Sequence, residues 1–235
     1  MKTARWVRAL LPTKATNAAI TALVASSAAL SAALFCAGVA QAGPMGFKDS
    51  SMAMGDFGPN WRELTANYAY TARDAVGAGS VWMRSDDHLR TRQFTEANYT
   101  RLLKRINSED AQANFWLQTS VGSVSGNDFA GSRLMLAPGL AADYETPRVY
   151  FSASARLYRA QGLQHDTASL RAGFSFYATD YDETQPWLLL ELRRMRALSN
   201  ATEVTPLLRL VHNRFFIEAG VSTARQARFN LMYIF

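Results

Sequence analysis

The sequence predicts an all-β protein: a transmembrane, antiparallel, up-and-down β-barrel of about 12 strands, with about 10 as the lower count. Three observations carry that prediction. Apolar and polar residues alternate with period two over nearly the whole chain after residue 51. Aromatic residues gather at the ends of those alternating runs. An amino-terminal segment has the build of an export signal.

That segment is 1–42. Lys2, Arg5, Arg8 and Lys14 supply a basic start with no acid to offset them, and an apolar run rich in Ala and Ser extends from Ala18 to Ala40. It ends Ala40-Gln41-Ala42, a small-x-small site directly before Gly43. The run is long enough to be a retained membrane anchor, but its Ala and Ser content makes it weakly hydrophobic, and cleavage is the expectation. Cys36 follows Phe35, where a lipoprotein signal needs a small residue. The expected organisation is a cleaved signal at 1–42 and a β-barrel at 43–235. Removal of the signal lowers the formal net charge from +6 to +2, so the basic character belongs mainly to the address label. With no clustered basic helix either, a nucleic-acid partner is not expected. The sole cysteine leaves with the signal, which excludes disulfides and Cys-based metal sites from the barrel.

The expected strands are 51–57, 61–73, 75–85, 92–106, 113–124, 133–144, 149–160, 169–179, 187–196, 204–212, 215–222 and 228–235. Most are near the length that a tilted strand needs to cross a bilayer. Leu170, Ala172, Phe174 and Phe176 oppose Arg171, Gly173, Ser175 and Tyr177, and Phe215, Ile217, Ala219 and Val221 oppose Glu218, Gly220 and Ser222. The first strand is the weakest. In the run 92–106 the pattern slips near Phe94, as a bulge or a helical stretch around 99–106 would make it do. Gly58-Pro59-Asn60 is a tight turn. With an even strand count, 71–75, 145–148 and 212–214 become periplasmic turns, and 85–91, 126–131 and 161–167 become outer loops. Tyr70, Tyr144, Phe215, Tyr233 and Phe235 then mark one rim, and Trp61 and Trp82 the other, although Trp61 shares its parity with Glu63.

In the last run, Phe229, Leu231, Tyr233 and Phe235 share one face and end the chain on an aromatic residue. This ending resembles the terminal strand of bacterial outer-membrane β-barrel proteins. The resemblance implies a bacterial outer-membrane location, and that these four residues are read by the barrel-assembly machinery. Outer-membrane lipid and that machinery are the implied partners. The class is architectural and brings no catalytic or ligand-binding residue with it.

The faces opposite the apolar ones point to the lumen. They carry Glu63, Glu96, Asp143, Glu191 and Glu218, with Arg133, Arg156, Arg171, Arg193, Arg209 and Arg228. Single charges in a narrow lumen are strongly desolvated, so near-equal numbers of both signs predict pairing. One expected function is a narrow, anion-preferring channel for small solutes, its Arg residues lining one wall. The other is a structural barrel whose Arg–Glu pairs close the lumen. A barrel of about a dozen strands lies between filled eight-stranded barrels and open porins, so strand number does not choose between them.

Enzymatic and metal functions find less support. A barrel lipid hydrolase needs Ser and His within hydrogen-bond reach. Here His88 and His165 are expected in outer loops and His212 at a periplasmic turn, a membrane's thickness from Ser222. Met45, Met52 and Met54 cluster near the start of the barrel, and thioethers suit Cu(I). The stretch 51–61 resembles outer-membrane proteins associated with heavy-metal (copper) resistance, but Met residues without His or Cys partners are more often gap-fillers. No cofactor is expected.

Overall fold

The computed structural model describes residues 43–180, 182–199 and 201–235, and the export-signal segment 1–42 lies outside them. Its strands are β1 (Ser51–Phe57), β2 (Trp61–Tyr68), β3 (Asp74–Arg84), β4 (Thr91–Asn107), β5 (Gln112–Gly126), β6 (Ser132–Leu136) and β7 (Gly139–Glu145). They continue with β8 (Val149–Ala160), β9 (Leu163–Ser175), β10 (Gln185–Arg196), β11 (Thr202–His212), β12 (Phe215–Val221) and β13 (Ala227–Ile234). Each pairs antiparallel with its neighbours, and β1 pairs with β13 from Met52↔Ile234 to Phe57↔Phe229, so the sheet closes on itself. Closure leaves no unpaired edge, which lipid would not tolerate.

Thirteen strands make twelve wall positions, because β6 and β7 are two halves of one wall strand: both pair with β5 and both with β8. The single expected strand 133–144 is broken at Ala137-Pro138, since proline has no N–H for the ladder. Ser120 and Ala137 exchange backbone hydrogen bonds at the break (3.2 and 2.8 Å).

Local chemistry sets the hairpins. At the end of the barrel that carries the C-terminus, the Thr71 hydroxyl accepts from the N–H groups of Arg73 and Asp74, and the Thr146 hydroxyl accepts from those of Arg148 and Val149. At the far end, the Gly58 N–H donates to the Trp61 carbonyl (2.6 Å), closing the expected Gly-Pro-Asn turn. The slip in β4 is a bulge, between Leu102 and Lys104 rather than near Phe94, and no helix forms. The expected loop 161–167 is instead a tight turn at Gln161-Gly162. Gly162 takes φ +67°, and β9 starts at once with Leu163 opposite Ala160.

The outward face is apolar along its length. Leu64, Leu140, Leu170, Leu190 and Leu208 are each about half exposed, and they have many apolar neighbours. A water-soluble monomer does not present so continuous an apolar belt; a lipid-embedded barrel requires it. Tyr70, Tyr144, Phe215, Tyr233 and Phe235 are exposed on it at the C-terminal end. Trp82 lies outward toward the far rim with Arg62 and Arg84 over its ring (4.8 and 5.6 Å). Trp61 departs from the expectation: only 2% exposed, it points into the barrel, following its parity with Glu63 rather than its aromatic character.

Arg in place of Leu190, midway along β10, is therefore expected to cost roughly 2–4 kcal/mol in urea unfolding from lipid vesicles. Leu210→Arg, near the rim, is expected to cost roughly 0–1 kcal/mol. Equal costs at the two sites would contradict the assigned bilayer midplane.

Candidate functional site

The inward side chains form three layers. Toward the far end lies an apolar stopper of Trp61, Val81, Met83, Phe94, Val124, Met135, Tyr158, Leu163 and Met195. The Tyr158 ring meets Phe94 at 5.7 Å and Trp61 at 6.3 Å, both edge-on. β2 and β8 stand five wall positions apart, so the Trp61–Tyr158 contact spans the lumen. Leu198, from the turn after β10, folds into the same cluster, and its carbonyl accepts from the Asp86 N–H (3.2 Å). At this rim Asp128 accepts from the Arg92 guanidinium (2.9 Å), a contact that holds its carboxyl below the usual carboxylate range.

The middle layer is charged. Glu218 of β12 accepts from Arg209 (2.7 Å) and Arg171 (3.3 Å), and Arg171 reaches Glu191 (2.9 Å). Glu191 faces Arg228 (3.5 Å), Arg228 binds Asp56 (2.9 Å), and Asp56 binds Arg193 (3.1 Å). A second group has Arg156 of β8 reaching across the lumen to Glu63 of β2 (3.4 Å) and into contact with Glu96 of β4. Glu191, Arg209, Glu218 and Arg228 are nearly fully buried, and no arginine of these groups lacks an acid. Rings add to the pairing: Arg193 lies over Trp61 (4.7 Å) and Arg209 over Tyr150 (4.3 Å).

Of the eleven residues expected to face the lumen, Glu63, Glu96, Asp143, Arg156, Arg171, Glu191, Arg193, Arg209, Glu218 and Arg228 do so. Arg133 does not join them. It sits at the far rim, donating to the Gln161 carbonyl (2.6 Å) with its guanidinium over Phe129 (4.2 Å). Asp143 stands apart from the arginines and accepts from Asn114 and from Trp116 Nε1 (2.6 Å each). Asp56 was not anticipated. The alternation Met52, Met54, Asp56 on β1 points it inward, but that strand's pattern is too short to read with assurance. Phe229, Leu231, Tyr233 and Phe235 share the outward face of β13 and the chain end, with Tyr233 packed against Phe215 and Phe235.

Toward the C-terminal end, Met52 and Met232 pack with Phe216 and Ile234, Met54 beside them, whereas Met45 joins Ala69, Ala75, Leu102 and Trp116. The amino-terminal methionines are thus divided between two apolar clusters. Among the described residues no group of three His, Cys, Asp or Glu side chains is placed to hold a metal ion. His165 is not in a loop: it is buried on β9 against Tyr158, and its Nδ1 pairs with the Arg196 carbonyl (2.7 Å). His212 contacts Thr184 and Asn213 at the C-terminal end, while Ser222 lies beyond the opposite end of β12.

Between stopper and C-terminal end lies a cavity of about 320 Å³, lined by Asp56, Glu63, Glu96, Asp143, Arg156, Arg171, Glu191, Arg193 and Arg209, with amides and hydroxyls between them. Gly43 and Pro44 also line it, and the Pro44 carbonyl accepts from Asn67 (3.0 Å).

No family model and no curated protein matches the sequence. Similar solved structures include the KdgM porin in complex with disordered oligogalacturonate, with TM-score 0.47 and 13% identity over 79% of this chain and 98% of that one. The KdgM porin alone gives TM-score 0.45 and 12% identity over the same shares. OprD of Pseudomonas aeruginosa gives TM-score 0.34 and 12% identity over 80% of this chain and 66% of that one. The likeness is one of architecture and brings no ligand or residue role to this chain.

Because Glu218 is fully buried between two arginines, Glu218→Gln is expected to destabilise the barrel by roughly 3–5 kcal/mol in urea unfolding. Adding Arg209→Met should recover part of that loss; a double variant no more stable than the single would show that Arg209 is not what the carboxylate compensates.

Proposed function

We propose that the chain, freed of residues 1–42 on export, forms a narrow, gated channel for small polar solutes in the bacterial outer membrane. The observation that carries this reading is the cavity. A barrel built only as a scaffold fills its interior with side chains, whereas this one keeps a charged, hydrogen-bonding chamber at mid-membrane. The apolar stopper is the gate, since a constriction of Trp61, Phe94 and Tyr158 excludes water and ions until its rings move. Outer-membrane lipid meets the apolar belt, and the terminal face ending in Phe235 is the mark for the assembly machinery.

Anion preference belongs to this reading in a weak form. The four cavity arginines are each in contact with an acid, which cancels much of their field. The second reading, a structural barrel, is favoured by the same contacts, because Arg156 and the Trp61–Tyr158 pair cross the lumen.

Planar-bilayer recording separates the two. The channel reading expects small, rarely open steps from the mature protein, and longer openings for Phe94→Ala and Tyr158→Ala. Neutralising Arg156 and Arg171 together should move the reversal potential under a salt gradient toward cations. A folded barrel silent in all these variants is a structural element.

A further inference from the structure

The charges of the cavity are sorted by wall. From β1 round to β7 the charged lining residues are acids: Asp56, Glu63, Glu96 and Asp143. From β8 to β11 they are the four arginines, with Glu191 among them. Such sorting sets a field across the lumen rather than along it, although the total nearly cancels.

A second, independent feature lies on the acidic wall. Asn67 Oδ1 of β2 and Glu96 Oε1 and Asn98 Oδ1 of β4 are buried oxygens without a hydrogen-bond partner, and all three residues line the cavity. Glu96 is 3% exposed; its other oxygen already accepts from Ser120 and Arg156. Between β2 and β4, β3 turns Gly77 and Gly79 inward, and a Cβ at Gly79 would stand 3.3 Å from Glu96 Oε1. A side chain at Gly79 would crowd that buried oxygen. Buried acceptors ask for a donor, and a primary ammonium carries three N–H groups and no acceptor. On the facing wall Arg156 Nε is a donor without a partner, next to guanidiniums that bind carboxylates well, while Glu191 Oε2 is an acceptor without a hydrogen bond, 3.5 Å from Arg228.

We propose that the cavity is a binding site for small zwitterions with a primary ammonium and a carboxylate. The ammonium sits against Glu96 and Asn98, and the carboxylate faces Arg156 and Arg171. The proposal rests on the reading of the lumen as a solute path, and equilibrium binding keeps the two apart. Conductance without zwitterion binding would overturn the site and leave the channel, while binding by a silent barrel would keep the site and remove the channel.

The test is calorimetric titration of the refolded mature barrel in detergent with 4-aminobutanoate, butanoate and butylammonium. The expected result is 4-aminobutanoate bound about tenfold or more tightly than either singly charged analogue, the worth of one further charge-assisted contact. Glu96→Gln should abolish the preference for 4-aminobutanoate over butanoate. Should that variant not fold, Asn98→Ala is expected to weaken 4-aminobutanoate selectively. If the three compounds bind alike, or none binds, or neither variant alters the preference, water satisfies the free oxygens and the proposal fails.

Discussion

A charge in this lumen has to find its opposite. The barrel is narrow enough that an Arg from β8 touches Glu residues from β2 and β4, and burial there removes most of the water that would otherwise solvate either sign. The rest of the interior follows from that constraint. Acids and bases pair with one another in the middle, apolar rings fill the far end, and glycines appear where a neighbouring strand's backbone comes too close for a side chain. The outer surface obeys the complementary rule, since lipid accepts no charge and the strands offer it Leu, Phe and Val.

The stopper and the chamber divide the lumen by chemistry rather than by loop. The constriction is built mainly from side chains of the wall strands, with Leu198 added from the turn after β10. Trp61 and Tyr158 each touch both regions, because Trp61 packs on Tyr158 and also carries the guanidinium of Arg193 on its ring. Movement of the rings is therefore coupled to the ion pairs below them.

Period two makes the class of fold legible in the sequence, together with the outward face of most strands and the lumen side of ten charged residues. What it cannot convey is which medium an apolar side chain meets. Trp61, Phe94 and Met83 are as apolar as the lipid-facing leucines, yet they point inward because the lumen has an apolar layer of its own, and the apparent slip near Phe94 has this origin. His165 was misplaced for another reason: a two-residue turn at Gln161-Gly162 is shorter than polar composition implied, so 163–167 belong to the wall. Asp56 stayed hidden on a strand of seven residues with three small ones, and Arg133 had the right parity but the wrong height. Height along a strand and contacts across the lumen depend on register between strands, which alternation within one strand does not contain.

The interruption at Pro138 has a mechanical meaning. The ladder of β8 with β9 runs unbroken from Val149 to Ala160, but β6 meets β8 only through Met135↔Ala160 and Leu136↔Arg159 before the proline interrupts the row. The row resumes at once, since the Leu157 N–H donates to the Pro138 carbonyl (2.9 Å) and β7 takes up the pairing at Gly139↔Arg156, so the wall bends its ladder here without opening.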